Sequence, residues 1–168
     1  GTTDVFSFAG TANLGTEGNY TLKAYTGLAL DSYNNNDTTF RNVQHLFSSN
    51  VGVSSITAPN SNSTFSATET VTVTVENFGS SAQSGFPVSF TMDGGTPVTE
   101  IYSGSLAAGA SNSFSFSSTV DLSNLGVYNF VAYTALTGDG DLSNDTTRTS
   151  AEHKICQPTA SCAYGDGY

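Results

Sequence analysis

Residues 70–79 read Thr-Val-Thr-Val-Thr-Val-Glu-Asn-Phe-Gly. Successive side chains of an extended chain point to opposite faces, so Val71, Val73 and Val75 share one side while the threonines and Glu76 take the other. β-Branched residues suit a pleated, half-buried surface, and the stretch therefore predicts a strand with one face in a core and one in water. Val88, Phe90 and Met92 repeat the pattern with Ser89, Thr91 and Asp93 outward, and Phe114 and Phe116 repeat it among serines. No stretch carries a convincing period of 3.6 residues. Turn signals separate the strands at Asn77-Phe78-Gly79-Ser80, Asp93-Gly94-Gly95, Ala108-Gly109-Ala110, Leu125-Gly126 and Gly138-Asp139-Gly140-Asp141. With Val51–Ile56 as a first strand and Thr146–Ile155 containing the last, about seven short strands follow one another. The pattern predicts an all-β fold, an immunoglobulin-like antiparallel β-sandwich. The Cys…Trp…Cys hallmark of antibody domains is missing, because the chain has no Trp.

Residues 6–45 and 114–153 are one stretch written twice, at a constant spacing of 108 and without a gap (114 − 6 = 108). The matched pairs include Phe6/Phe114, Phe8/Phe116, Leu14/Leu122, Gly18/Gly126, Tyr20/Tyr128, Ala24/Ala132, Tyr25/Tyr133, Asp31/Asp139, Asp37/Asp145 and His45/His153. A chain rich in Ser, Thr and Gly matches itself by chance, but not with aromatic, Leu and His residues in one register. The period marks a slice of a tandem array. Residues 48–155 then form one complete module. Residues 1–47 hold the last three strands of an identical one, exposing a half-core of Phe6, Phe8, Tyr20 and Leu22. Such a piece is expected to take its missing strands from the same protein or from another chain. Comparing the copies also phases the strand near Val127: Tyr128, Phe130 and Ala132 stay apolar and face the core, whereas Val131 exchanges with Lys23. The spacing Leu122…Gly126-Val127-Tyr128, repeated as Leu14…Gly18-Asn19-Tyr20, predicts a tyrosine corner in which the hydroxyl caps a turn.

A formal charge of −10 with four basic side chains (Lys23, Arg41, Arg148, Lys154) argues against nucleic acid and anionic membranes as partners. Both require clustered Lys or Arg. Charged residues make up 11% of the chain, so its hydration rests on Ser, Thr, Asn and Gly, a composition common in exported proteins. No apolar run is long enough to span a bilayer, and membrane insertion is not expected. Any export signal is expected to lie outside the stretch or to have been removed. Cys156 and Cys162 offer two readings, a metal or redox pair and a small disulfide loop. The lack of a CxxC spacing or a second pair favours the disulfide, and with it an oxidising compartment.

Several motifs together resemble a known family. They are Val71-Thr-Val-Thr-Val-Glu-Asn77-Phe-Gly79, Val88-Ser-Phe90, Ser105-Leu106-Ala-Ala-Gly109-Ala, Gly126-Val-Tyr128 and Asp139-Gly-Asp-Leu-Ser-Asn144-Asp145-Thr. They resemble CARDB-like domains, immunoglobulin-like modules of bacterial surface and secreted proteins, in the version found in large Bacteroidetes extracellular proteins. The tail Cys156-Gln-Pro158-Thr-Ala-Ser-Cys162-Ala-Tyr-Gly165-Asp166-Gly167 resembles the opening of a GEVED domain, which would make residues 156–168 the start of a further domain. The resemblance implies export by the type IX route and brings no catalytic residues.

Three features remain as candidate sites. The turn Asp139-Gly140-Asp141-Leu142-Ser143-Asn144-Asp145 offers side-chain oxygens from Asp139, Asp141, Asn144 and Asp145 to Ca²⁺, the ligands that ion prefers. It is not an EF-hand, since Ser150 stands where the bidentate Glu belongs, and the same residue types also build hairpin turns. Thr38 and Thr146 follow Asp in Asp-Thr-Thr, which resembles an O-glycan acceptor of exported Bacteroidetes proteins; the alternative is ordinary Thr entering a strand. Tyr25, Tyr33, Tyr102, Tyr133 and Phe78 are expected to be free aromatics, with Tyr25 and Tyr133 available for stacking on glycans. His45 and His153 are expected at module boundaries, with residues Phe47–Asn50 as a short linker. No Gly-x-Ser-x-Gly, His-Glu-x-x-His or phosphate-binding loop occurs, so no catalytic site is expected. The expected function is a non-catalytic extracellular repeat segment, a spacer or part of an adhesin on the bacterial cell surface, contacting adjacent modules of the same protein. An accessory module of a secreted hydrolase (protease or glycosidase) and a module binding host or environmental surface glycans are the alternatives. No cofactor other than Ca²⁺ is expected.

Overall fold

The structure is a computed structural model and describes residues 2–62 and 64–155. Among these residues it is all-β apart from one short 3-10 turn, Asn34–Asn36. Two compact units divide the chain, residues 1–46 and residues 47–168.

The second unit is a sandwich of two antiparallel sheets. One carries β3 (Val51–Ala58), β4 (Glu69–Asn77) and β7 (Ser111–Val120), in the order β3-β4-β7. The other carries β5 (Phe86–Met92), β6 (Val98–Tyr102), β8 (Gly126–Thr134) and β9 (Thr146–His153), in the order β6-β5-β8-β9. The valines of β4 are wholly buried at alternate positions, as the period-two reading requires. They meet Val88 and Phe90 of β5 and Phe130 and Ala132 of β8 in one apolar core. The ring of Phe90 meets that of Phe116 edge to face, with centroids 4.7 Å apart, which joins one sheet to the other. Tyr102, expected to be free, is buried instead: its ring stacks on Phe86 at 5.0 Å and its hydroxyl accepts a hydrogen bond from Asn112 at 2.9 Å. The reason is register, because Tyr102 pairs with Phe86 at the core-facing end of β5.

The segment Phe47–Asn50 is not a free linker. Ser80 and Ser81 donate their amides to Phe47 and Ser48, and both Phe78 and Gly79 donate to Asn50. From the other side Gly140 donates to Ser49. A backbone satisfied from two directions belongs to the module it enters.

The first unit contains β1 (Gly18–Tyr25) and β2 (Thr38–His45), paired antiparallel from Gly18↔His45 to Tyr25↔Thr38. The same register, displaced by 108, pairs β8 with β9 from Gly126↔His153 to Tyr133↔Thr146. Three strands were expected here and two are present, because residues 2–12 form none. Their counterpart in the second unit is β7, whose ladder runs along β4 in the opposite sheet. Residues 2–12 have no such strand beside them in the first unit. A strand without a ladder has nowhere to place its amides except water.

Candidate functional site

The acidic turn sits between β8 and β9 and holds the entry to β3. Asp139 accepts the Val51 amide at 2.9 Å through one oxygen and the Asp141 amide at 2.9 Å through the other. Asp141 accepts the Ser143 amide and hydroxyl, at 3.0 and 2.6 Å. Asn144 donates to the Asn50 side chain at 2.9 Å, while its own oxygen is buried without a partner. Gly52 lies beneath Asn144, and a Cβ there would stand 2.3 Å from the Asn144 carbonyl oxygen. Gly140 lies against the Phe47 ring, with 2.2 Å left for a Cβ. The four residues expected as calcium ligands thus come together, but three of them aim their oxygens or amide at backbone and side chains of the turn and of β3. Among the described residues, no group of three or more His, Cys, Asp and Glu is placed to hold a metal ion.

The fourth residue, Asp145, is buried. Burial raises its pKa, and the charges of Asp139 and Asp141 add to that, against one hydrogen bond from Thr134. Geometry gives the reason: the Thr134 hydroxyl lies 3.0 Å from the Val51 carbonyl and 3.3 Å from the Asp145 carboxyl, with one hydrogen to give. A protonated Asp145 donates to Thr134 and lets Thr134 donate to Val51. Asp141, fully exposed, moves the other way, its pKa lowered by the Ser143 hydroxyl and amide.

Two polar residues outside the expected set hold the sandwich together. Asn77 ends the run of inward valines on β4, is wholly buried, and uses its entire amide: it donates to Ser81 and Leu106 carbonyls, each at 2.9 Å, and accepts the Gly79 amide at 2.9 Å. The signal lay in the alternation, since a polar residue in phase with Val71, Val73 and Val75 must face the core. Glu100 on β6 reaches across to β7 and accepts the Ser117 amide and hydroxyl and the Ser118 amide, at 2.9, 2.8 and 3.2 Å. β7 shifts register against β4 in this region, which leaves those amides free for Glu100. Nothing in the sequence marks Glu100 for the task.

The paired histidines are not boundary contacts. His153 Nδ1 donates to the Leu122 carbonyl at 2.7 Å, and His45 Nδ1 to the Leu14 carbonyl at 2.8 Å, each within its own unit. The tyrosine corner is present twice, Tyr128 donating to Asn124 at 2.7 Å and Tyr20 to Thr16. Thr38 and Thr146 open β2 and β9, exposed and opposite Tyr25 and Tyr133. Tyr25 is 71% exposed; the Lys23 ammonium lies 5.5 Å from its ring centre and 5.8 Å from that of Phe40. Tyr133 is half-buried, with Val131 and Arg148 in place of Lys23 and Phe40. Cys156 and Cys162 lie outside the described residues.

Residues 48–140 match the CARDB family model. The chain belongs to the CARDB family. Among solved structures, this CARDB chain is similar to residues 272–376 of a candidate cell surface protein from Methanosarcina acetivorans. That match has 23% identity and a TM-score of 0.47 over 62% of this chain and 90% of that one. It is also similar to the CARDB domain of a Pyrococcus furiosus protein, at 19% identity and a TM-score of 0.45 over 66% of this chain and 100% of that one. No curated protein matches the chain. No described helix is long and apolar enough to cross a membrane.

Proposed function

We propose that this CARDB chain is a non-catalytic, extracellular repeat segment of a large bacterial surface or secreted protein, serving as a spacer or adhesin stalk. The observation that carries this reading is the repeat of atomic detail between residues 14–45 and 122–153. Both hairpins keep one register, one tyrosine corner, one His-to-carbonyl bond and one Thr-to-Asp bond (Thr26 to Asp37 at 3.2 Å, Thr134 to Asp145 at 3.3 Å). Duplication of a self-contained sandwich extends a protein without adding chemistry, since each unit contacts only its neighbours. On this reading residues 1–47 belong to one repeat and residues 48–155 to the next, while residues 156–168 open a GEVED-like domain with a Cys156–Cys162 disulfide, in a protein exported by the type IX route. Thr38 and Thr146 are candidate O-glycan sites by their exposure.

The test is replacement in the full-length parent protein. A spacer tolerates exchange of residues 48–155 for an unrelated sandwich of equal length, and surface attachment of the cells is unchanged. Loss of attachment on that exchange, with the parent still exported, overturns the spacer reading. The exposed Tyr25, Lys23 and Phe40 favour one second reading, a glycan-stacking face. It predicts glycan-array binding that Tyr25→Ala abolishes.

A further inference from the structure

The first unit presents, bare, a face that the second unit keeps covered. Leu22 of β1 is 37% exposed, whereas its counterpart Phe130 on β8 is 1% exposed. Phe8 is 69% exposed, and its counterpart Phe116 is 3% exposed. The two Phe pairs nonetheless hold one mutual geometry, edge to face at 5.1 Å in both Phe6–Phe8 and Phe114–Phe116. In the second unit the cover is identifiable. Phe90 of β5 sits on Phe116, Tyr102 of β6 lies 6.1 Å from Phe114, and β5 pairs with β8 from Val88↔Thr134 to Met92↔Phe130. The matching stretch of β1, residues 22–26, has β2 on one side and no described strand on the other.

We infer that the bare face and open edge of the first unit are a docking site for four strands of the β3–β6 kind, supplied by the same polypeptide ahead of Gly1. The complement must satisfy what the second unit shows: a strand alternating as Val88-Ser89-Phe90-Thr91-Met92 to ladder onto residues 22–26, and a neighbouring strand with an aromatic residue where Tyr102 stands. It must also supply a valine-faced strand, like β4, to give residues 4–12 the ladder that β7 has. A large apolar face beside an unpaired strand edge is otherwise an aggregation site. The inference rests on the repeat reading given above and adds to it the occupant, its strand order and its register.

The test grafts residues 47–108 directly ahead of Gly1 in the full chain, so that Ala108 precedes Gly1 as it precedes Gly109. Amide exchange is then followed residue by residue, with the second unit as internal standard. Amides at 5–12 and on the open edge of residues 22–26 are expected to slow by about 100-fold or more relative to the ungrafted chain. The same graft carrying V88S and F90S in the added copy should give no such protection. Leu22→Ser provides a second measurement: in the ungrafted chain it should leave exchange of β1 unchanged, and in the graft it should restore fast exchange. Unaltered exchange at 5–12 and 22–26 in a graft whose second unit is protected as before overturns the inference. So does protection in the ungrafted chain that rises with protein concentration, which would assign the face to a second copy. Neither outcome touches the attachment assay above, so this proposal fails separately from the spacer reading.

Discussion

Replacing Asn77 tests whether one buried amide fastens the end of β4 to both flanking loops. Asn77→Ala removes two donated bonds, to the Ser81 and Leu106 carbonyls, and one accepted bond, from the Gly79 amide. Each is worth about 1 kcal/mol net, and the cavity left at a wholly buried position adds about another 1 kcal/mol. The abandoned groups are not stranded: Leu106 still accepts the Gln83 amide at 2.9 Å, Ser81 the Gln83 side chain at 3.3 Å, and Gly79 still donates to Asn50 at 3.1 Å. The total therefore stays near 3 kcal/mol, which lowers Tm by about 12 °C for a unit of this size. Asn77→Asp is the sharper probe. It preserves shape and the bond from Gly79 but turns an oxygen toward two carbonyl oxygens, so at neutral pH it should cost more than alanine. Below about pH 5 a protonated carboxyl can donate again, and the deficit should shrink. Urea unfolding of the full chain at pH 7 and pH 4.5 measures both variants. An alanine variant within about 0.5 kcal/mol of the parent, or an aspartate variant milder than alanine at pH 7, would refute the reasoning, because either means the amide is not wired as described.

Other perturbations follow from the same contacts. Asp145 binds its proton more tightly in the fold than in the unfolded chain, so its contribution is complete below the unfolded pKa of 3.8 and is lost as pH rises through the folded value. Asp145→Asn, which keeps a donor for Thr134, should raise stability at pH 7 and flatten the decline from acid to neutral pH, read from urea midpoints at each pH. Glu100 has the opposite sign. Burial works against its charge, but the Ser117 hydroxyl and amide and the Ser118 amide prevail and lower its pKa, so its contribution is present above 4.5 and lost as pH falls through the folded value. Glu100→Gln should cost about 1 kcal/mol at pH 7, since the carboxyl is largely in water, and nothing below about pH 3, by thermal unfolding across pH. Gly52→Ala should destabilise by about 2–3 kcal/mol, because a methyl group there collides with the Asn144 backbone rather than with a yielding side chain; calorimetry gives the value. Tyr128→Phe should cost about 1 kcal/mol through the lost bond to Asn124, measured the same way.

The sheets were legible in the sequence because period-two alternation is a direct image of a half-buried pleated surface. The strands opened by Val71, Val88 and Phe114 all lie where that pattern puts them. Bonds that link elements distant in the chain left no local trace. Glu100 reads as an ordinary strand acid, and only the register shift of β7, a property of the folded pair, reveals the amides it serves. Tyr102 was misjudged for a related reason: whether a lone aromatic in a short strand faces in or out depends on its partner, and Phe86 is sixteen residues earlier. The segment Phe47–Asn50 has loop-like composition, and its integration shows only once the turns at 77–81 and 136–145 are brought to it. The acidic turn was read as a candidate metal site or a plain hairpin turn, and the hydrogen bonds of its carboxylates to β3 depend on a strand 88 residues away.

The two copies also show which interactions carry a hairpin's register. Where they differ, the exchanges fall mainly on faces that meet other strands: Leu22 for Phe130, Val43 for Ala151, Arg41 for Thr149. Where they agree, the residues close bonds within the hairpin and its flanking loops: Tyr20 and Tyr128 at the corner, His45 and His153 on the carbonyl of Leu14 and Leu122, Thr26 and Thr134 on Asp37 and Asp145. Gly18 and Gly126 keep a positive φ, of 147° and 153°, at the same corner, where a side chain would be strained. Core residues can change if total volume is kept, because apolar packing is non-directional. A hydrogen bond tolerates no such exchange, since its partner is fixed in place. Polar locks local to the hairpin therefore set its pairing, and the opposing sheet supplies burial. That division explains why β1 and β2 hold the register of β8 and β9 while the apolar face between Phe8 and Leu22 stands open.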